Sequence, residues 1–218
     1  MLPTPRSRCR RLQSRQMGRR GRLITIEGID GAGKSTLAAC LLEQFPQLQL
    51  MREPGGVAAA ERLRELVKDP ALQIGDRAEA LIFAAARAQL VEEALEPALA
   101  SGTDVLLDRF TDSSLAYQGG GRELGVESVA ALSQFATGGI APDATLYLRV
   151  DLDRAAQRRD GDDRLELAGD EFFRRIADTY DELAKSAPER ITTIDASGTP
   201  EQVLAAALRI VKTVLSGG

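Results

Sequence analysis

Gly28-Ile29-Asp30-Gly31-Ala32-Gly33-Lys34-Ser35 has the spacing of a phosphate-binding loop, G-x-x-x-x-G-K-[ST]. The apolar run Leu23-Ile24-Thr25-Ile26 precedes it and reads as a strand. Thr36-Leu37-Ala38-Ala39-Cys40-Leu41-Leu42 follows and reads as a helix. Strand, glycine-rich loop and helix are the context that this motif requires. Glycines let the backbone turn its N–H groups toward phosphate oxygens, and the helix N-terminus adds partial positive charge. Gly28 through Thr36 are therefore expected to hold a nucleoside triphosphate. Lys34 would reach the β- and γ-phosphates, and Ser35 would ligate Mg²⁺.

Outward from the loop, apolar stretches alternate with helical patterns. Leu48-Gln49-Leu50-Met51, Asp104-Val105-Leu106-Leu107-Asp108, Ala144-Thr145-Leu146-Tyr147-Leu148-Arg149-Val150 and Ile191-Thr192-Thr193-Ile194 read as further strands. Helical patterns cover residues 57–67, 76–100, 126–136, 152–159, 169–186 and 200–215. Five short strands alternating with helices predict an α/β fold, a five-stranded parallel sheet with helices on both faces. Ligands of such sheets bind beyond the carboxyl ends of the strands. The phosphate loop, Arg52-Glu53, Asp108-Arg109 and Asp195 all fall there. Gly119-Gly120-Gly121 reads as a loop, with Tyr117 and Gln118 leading into it as a mobile segment.

Composition narrows the chemistry. The 218 residues suit one domain with a full core, and 44% hydrophobic with 28% charged residues is ordinary for a globular protein. Histidine is absent, which excludes Ser-His-Asp and Cys-His catalysis and His-based metal sites. Cys9 and Cys40 are isolated, so neither a disulfide framework nor a zinc spacing is available, and a cytoplasmic setting is expected. No apolar run reaches the roughly 18 residues of a membrane span. Residues 1–22 hold eight arginines and no acid, whereas the rest of the chain is acidic. That leading segment has no apolar period and no h-region. It reads as a disordered extension over residues 1–21, with Met17 as a candidate start and with deletion of residues 1–16 expected to be neutral. It lacks the interleaved aromatics of a nucleic-acid arm.

Several side chains gain meaning from position. Asp108, at a strand end near the phosphate loop, can hold Mg²⁺, and Arg109 beside it can clamp a phosphate. Arg52, in the turn after the second strand, is a candidate for an acceptor phosphate. Phe83 and Arg87 are four apart and share one helix face, although a helical Phe is more often core. Arg158-Arg159-Asp160-Gly161-Asp162-Asp163-Arg164 has no apolar residue and reads as a solvated loop, or as a lid over 158–166 that brings arginine to a transferring phosphate.

Taken together, Glu27-Gly28-Ile29-Asp30-Gly31-Ala32-Gly33-Lys34-Ser35-Thr36, Arg52-Glu53-Pro54-Gly55-Gly56, Phe83-Ala84-Ala85-Ala86-Arg87, Asp108 through Gly119 and Asp163-Arg164-Leu165-Glu166 resemble the thymidylate kinases of the nucleoside monophosphate kinase group. The resemblance covers nearly all of residues 22–215. It implies the three-layer P-loop NTPase fold, ATP and Mg²⁺, transfer to dTMP giving dTDP, and a homodimer. It implies that Lys34, Ser35 and Thr36 hold ATP phosphates and Mg²⁺, and that Asp30 accepts from the sugar 3′-OH. Arg52 and Arg109 would hold the dTMP phosphate, Phe83 would stack on thymine and Arg87 would bond its O4. Ser114 or Gln118 would contact the base or phosphate region, and Tyr117 would crowd the 2′ position. Phe110 stands where Tyr is commoner. Gly31 stands where one subgroup carries a catalytic Arg, and in the other, bacterial-like subgroup lid arginines take over. Arg159 is then the first expectation for the catalytic lid residue and Arg164 the second, with Arg158 also in the lid. The remaining alternatives are a P-loop deoxynucleoside kinase, against which Arg52 and Arg109 argue, and a non-catalytic nucleotide-binding regulator. No nucleic acid or membrane partner is expected.

Overall fold

The computed structural model describes residues 19–158 and 164–217. The expected disordered extension, apart from its last three residues, and Arg159 of the expected lid lie outside the described residues. Strands β1 (Leu23–Glu27), β2 (Gln49–Arg52), β3 (Val105–Asp108), β4 (Ala144–Arg149) and β5 (Ile191–Asp195) pair in parallel in the order β2-β3-β1-β4-β5. The helices are α1 (Lys34–Gln44), α2 (Ala58–Lys68), α3 (Asp76–Leu90), α4 (Glu96–Ala100), α5 (Thr111–Ser114), α6 (Val126–Thr137), α7 (Leu152–Ala156), α8 (Asp170–Ser186) and α9 (Pro200–Ser216).

Alternation along the strands builds the layers. Side chains two apart share a face. Ile24, Ile26 and Leu106 enter one core with Leu37 and Leu41 of α1, Phe173 and Ile176 of α8 and Val211 of α9. Leu23, Val105 and Leu107 enter the other core, with Leu90, Leu95 and Leu99 from the α3–α4 side. All five residues of β1 are buried, as a central strand covered on both faces requires. The single helical pattern over 76–100 is continuous but contains a π-helical turn at Val91–Leu95. The last residues of the expected extension make contacts with the domain: the Gly21 amide donates to the Leu99 carbonyl at 2.8 Å and Arg19 pairs with Asp104 at 2.9 Å.

The glycine run departs from expectation. Leu115–Gly121 is a buried π-helical segment that continues α5, not a mobile loop. The close approach of α8 explains the glycines. A Cβ on Gly120 would lie 1.9 Å from Thr179 Oγ1, and one on Gly121 would lie 2.6 Å from the Phe172 ring. The glycines let this segment press against α8, which fixes Tyr117 and Gln118 in place.

Candidate active site

β1 delivers the phosphate loop and β3 delivers Asp108 and Arg109, so both reach the carboxyl edge of neighbouring strands. The Arg109 amide donates to the Ile26 carbonyl at 3.0 Å, which extends the β1–β3 pairing to the site. Gly31 has φ +84, and a Cβ there would lie 2.3 Å from the Ala155 carbonyl oxygen. The loop at this point therefore excludes any side chain. Arg158 reaches the same place from behind α7, its Nη1 3.4 Å from the Gly31 carbonyl oxygen.

Lys34 is buried and donates to the carbonyls of Gly28 and Ile29 at 3.1 and 2.9 Å. Burial, reinforced by Arg109, lowers its ammonium from 10.5 to about 8, against the pull of Asp30 and Asp108. Ser35 Oγ donates to Asp108 Oδ2 at 3.3 Å, and Asp108 Oδ1 is buried with no hydrogen-bond partner among the described residues. A cavity here is lined by Asp30, Gly31, Gly33, Lys34, Ser35, Thr36, Arg52, Glu53, Arg64, Asp108, Arg109 and Arg158. A second cavity adjoins it between α1 and the start of α9, where Thr36, Leu37, Cys40 and Arg158 face Gly198, Pro200 and Leu204. Thr199 caps α9 there: its side chain accepts from the Gln202 amide, and the Gln202 side chain accepts from the Thr199 amide.

Asp30 and Arg109 form the border with a third cavity. Arg109 Nη2 donates to Asp30 Oδ1 at 2.5 Å, and the Tyr117 hydroxyl donates to Asp30 Oδ2 at 2.7 Å. Burial alone would raise the Asp30 carboxyl. Arg109 and Lys34, with the Tyr117 hydroxyl, outweigh it and hold Asp30 well below the usual carboxylate range. Arg109 adopts φ +70, a left-handed conformation that costs a non-glycine residue about 1–3 kcal/mol. Glu27, fully buried at the end of β1, fastens the chain on the far side of that residue. Its carboxylate accepts from the Phe110 amide (2.7 Å), Ser113 Oγ (2.5 Å) and Tyr180 Oη (2.9 Å). Burial, with Asp112 nearby, raises the Glu27 carboxyl from 4.5 to about 7.

The third cavity runs from this border to α3. It is lined by Asp30, Glu53, Pro54, Arg64, Lys68, Phe83, Arg87, Arg109, Ser113, Ser114, Tyr117, Gln118 and Leu165. Arg87 is buried and held on several sides. It donates to Glu53 Oε2 through Nε at 2.8 Å, to Ser114 Oγ at 3.1 Å and to the Phe110 carbonyl at 2.8 Å, and it lies over the Phe110 ring. Phe110 is fully buried, so the ring that lacks the commoner hydroxyl serves as a floor under Arg87. Burial raises the Glu53 carboxyl, with Arg87 opposing.

Most of the expected positions converge on these cavities, but three are placed differently and two further residues add to them. Arg52 lies at the phosphate-loop cavity and not in the third one, paired with both oxygens of Glu61 at 2.8 and 2.9 Å. Arg164 ion-pairs with Glu79 at 2.5 Å and bonds the Val67 carbonyl, in place of the expected contact at the phosphate loop. Asp195 is exposed and accepts from the Ser197 amide at 2.9 Å. Arg64 and Lys68, which the sequence did not single out, also line the third cavity. Among the described residues no group of three or more acidic or cysteine side chains could cage a metal.

The family model described as thymidylate kinase matches residues 26–207. A thymidylate kinase of Lacticaseibacillus casei (strain BL23) is 45% identical over 203 residues, covering 88% of this chain and 95% of that protein. One from Oenococcus oeni is 44% identical over 212 residues, covering 91% of this chain and 99% of that protein. The crystal structure of thymidylate kinase from Ehrlichia chaffeensis superposes with a TM-score of 0.74 at 28% identity, covering 88% of this chain and 98% of that one.

Proposed function

This chain belongs to the thymidylate kinase family, and from that premise we propose how its residues phosphorylate dTMP. The reaction is ATP + dTMP giving ADP + dTDP, a step of dTTP synthesis. The observation that carries the assignment of residues is the shared wall. Asp30, Glu53, Arg64 and Arg109 line both the phosphate-loop cavity and the third cavity, so a donor and an acceptor phosphate would meet across Arg109.

In this reading ATP lays its phosphates along Gly28 to Thr36, with Lys34 at the β- and γ-phosphates and its base between α1 and α9. dTMP enters the third cavity. Arg109, in the shared wall, binds its phosphate, with Arg52 reaching that phosphate from the phosphate-loop side; Asp30 accepts from the 3′-OH, and Tyr117 crowds the 2′ position. Phe83 stacks on the base, Arg87 donates to O4, and Ser114 and Gln118 complete the base contacts. The acceptor is already an anionic phosphate oxygen, so alignment and charge neutralisation supply the catalysis and no general base is needed.

Ser35 and Asp108 fit Mg²⁺. Mg²⁺ typically takes one or two carboxylates together with substrate phosphates, and Asp108 offers one buried oxygen without a described partner beside the Ser35 hydroxyl. When bound, the ion neutralises charge on the transferring phosphates. Arg158 supports the reading that a lid arginine compensates for Gly31, and Arg159 remains a second candidate from the same segment.

We place the protein in the cytoplasm, on its substrates and its two isolated cysteines. Among the described residues no helix is long and apolar enough to cross a membrane. A homodimer is proposed through α3 and α6. These helices pack together and leave Leu81 58% and Phe135 87% exposed. A panel of nucleoside monophosphates in an ADP-release assay tests the functional reading. dTMP should turn over fastest, and equal rates with ribonucleoside monophosphates or with thymidine would overturn it.

A further inference from the structure

Gln118 and Glu79 fix the polarity of one wall of the base pocket. Gln118 is 1% exposed and lines the third cavity. Its Nε2 donates to Glu79 Oε1 at 2.9 Å. Glu79 is fully buried, and two guanidiniums hold its carboxylate: Arg122 at 3.1 Å and Arg164 at 2.5 Å. A carboxylate in such an ion pair can only accept hydrogen bonds. Chemistry therefore dictates which end of the Gln118 amide meets it: the nitrogen must, and the oxygen must point away. That oxygen accepts from no described residue, and it is not among the side-chain atoms sealed from solvent without a partner. For a side chain so deeply buried, the remaining accessible side is the pocket.

Elsewhere in the pocket Arg87 offers only donors. One wall therefore donates and the other accepts. A pyrimidine presenting a carbonyl at C4 and an N–H at N3 satisfies both. A cytosine presents an amino group to Arg87 and a bare N3 to the Gln118 carbonyl, so both contacts are mismatched.

We propose that Glu79 is a specificity-determining positioning residue. By taking the amide hydrogens of Gln118 it leaves the Gln118 carbonyl facing the pocket, which selects thymine or uracil over cytosine. Arg122 and Arg164 ion-pair with Glu79 and fix its position, which gives Arg164 a role at the base end of the site. The proposal rests on the assignment of the third cavity to dTMP.

The test is calorimetric binding of dTMP and dCMP without ATP, alongside kcat/KM for each, in wild type and in Glu79→Gln. The substituted amide can donate to or accept from Gln118, so the Gln118 amide is no longer forced one way. The preference for dTMP over dCMP should contract about tenfold or more, because a matched polar contact is lost on one side and a mismatch relieved on the other. A merely structural role would lower the melting temperature and leave the dTMP:dCMP ratio unchanged, and that outcome overturns the proposal. Should Glu79→Gln fail to fold, Gln118→Met removes the carbonyl at similar volume and should contract the same ratio; an unchanged ratio there overturns the proposal equally. Wild-type protein that binds neither nucleotide overturns the functional reading and this proposal with it. Wild-type protein that binds dTMP, with variants that keep the ratio, overturns this proposal alone.

Discussion

The Arg109 guanidinium meets the Asp30 carboxylate at 2.5 Å in the wall common to the phosphate-loop cavity and the third cavity. Asp30 comes from the loop after β1 and Arg109 from the turn after β3. The two are brought together by the parallel register that sets Ile26 beside Asp108. Arg109 reaches this point only in a left-handed backbone conformation, at φ +70. The three hydrogen bonds that Glu27 accepts beyond it are the local structure that holds that conformation.

Glu27 should make this hold visible in the pH dependence of stability. Burial first, and Asp112 second, raise its carboxyl from 4.5 to about 7. A carboxyl raised on folding stabilises the fold below its unfolded value, and that contribution is lost as pH rises through the folded value. Glu27→Gln has no such proton to lose. Its stability relative to wild type should therefore improve from about pH 5 to about pH 8 in urea unfolding. A stability difference constant over that range would contradict the burial of an ionisable Glu27.

Lys34 carries a second pH signature. Burial and Arg109 lower its ammonium to about 8 in the free protein. The profile of kcat/KM reports groups of the free enzyme. For ATP it should stay level up to about pH 8 and then fall about tenfold per unit as the loop loses its charge. At saturating ATP the break should move upward, because the triphosphate favours the charged amine. A kcat/KM profile level to about pH 10 would show that Lys34 keeps an ordinary ammonium.

Phe83 is half-buried, packs against the larger core and lines the third cavity, the proposed acceptor pocket. Base stacking on an aromatic ring is worth about 1–3 kcal/mol. Phe83→Ala should raise KM for dTMP at least several-fold and leave KM for ATP nearly unchanged. A variant that melts earlier but keeps its dTMP KM would mark Phe83 as core alone.

What the sequence made legible was local. The spacing of Gly28 to Ser35 announced the phosphate loop, and the four-residue step from Phe83 to Arg87 placed both on one face of α3. The three central strands β1, β3 and β4 were readable because each is a short apolar run buried on both faces, whereas the edge strands β2 and β5 are partly exposed. The partner of Arg164 was not readable. Glu79 is 85 residues away, and only the folded chain brings Arg164 against α3. The glycines at 119–121 misled for a related reason. A glycine run has the same appearance whether it frees a loop or admits a neighbouring helix, and here the neighbour is α8, distant in sequence. Arg64 and Lys68 carry no motif in the sequence, and only the placement of α2 beside the third cavity brings them to it.

Arg158, in the segment proposed as a lid, has its Nη1 3.4 Å from the Gly31 carbonyl oxygen. An arginine acting on a transferring phosphoryl group contributes on the order of 10³–10⁵ in rate. Arg158→Ala should cut kcat by about a hundredfold or more, with a much smaller effect on KM for ATP. Arg164→Ala should act instead on dTMP, through Glu79. If Arg158→Ala keeps kcat within about threefold of wild type, the charge comes from elsewhere, with Arg159 the next residue to replace.

The central claim is that two substrates meet across Arg109 in one continuous site. A single molecule joining adenosine to thymidine through five phosphates spans both cavities, and calorimetric titration with it tests that claim most directly. It should bind one per chain, more tightly than ATP or dTMP alone, and Lys34→Ala and Arg109→Ala should each weaken it. Binding no tighter than dTMP, or loss of affinity in only one of the two variants, would contradict a shared site.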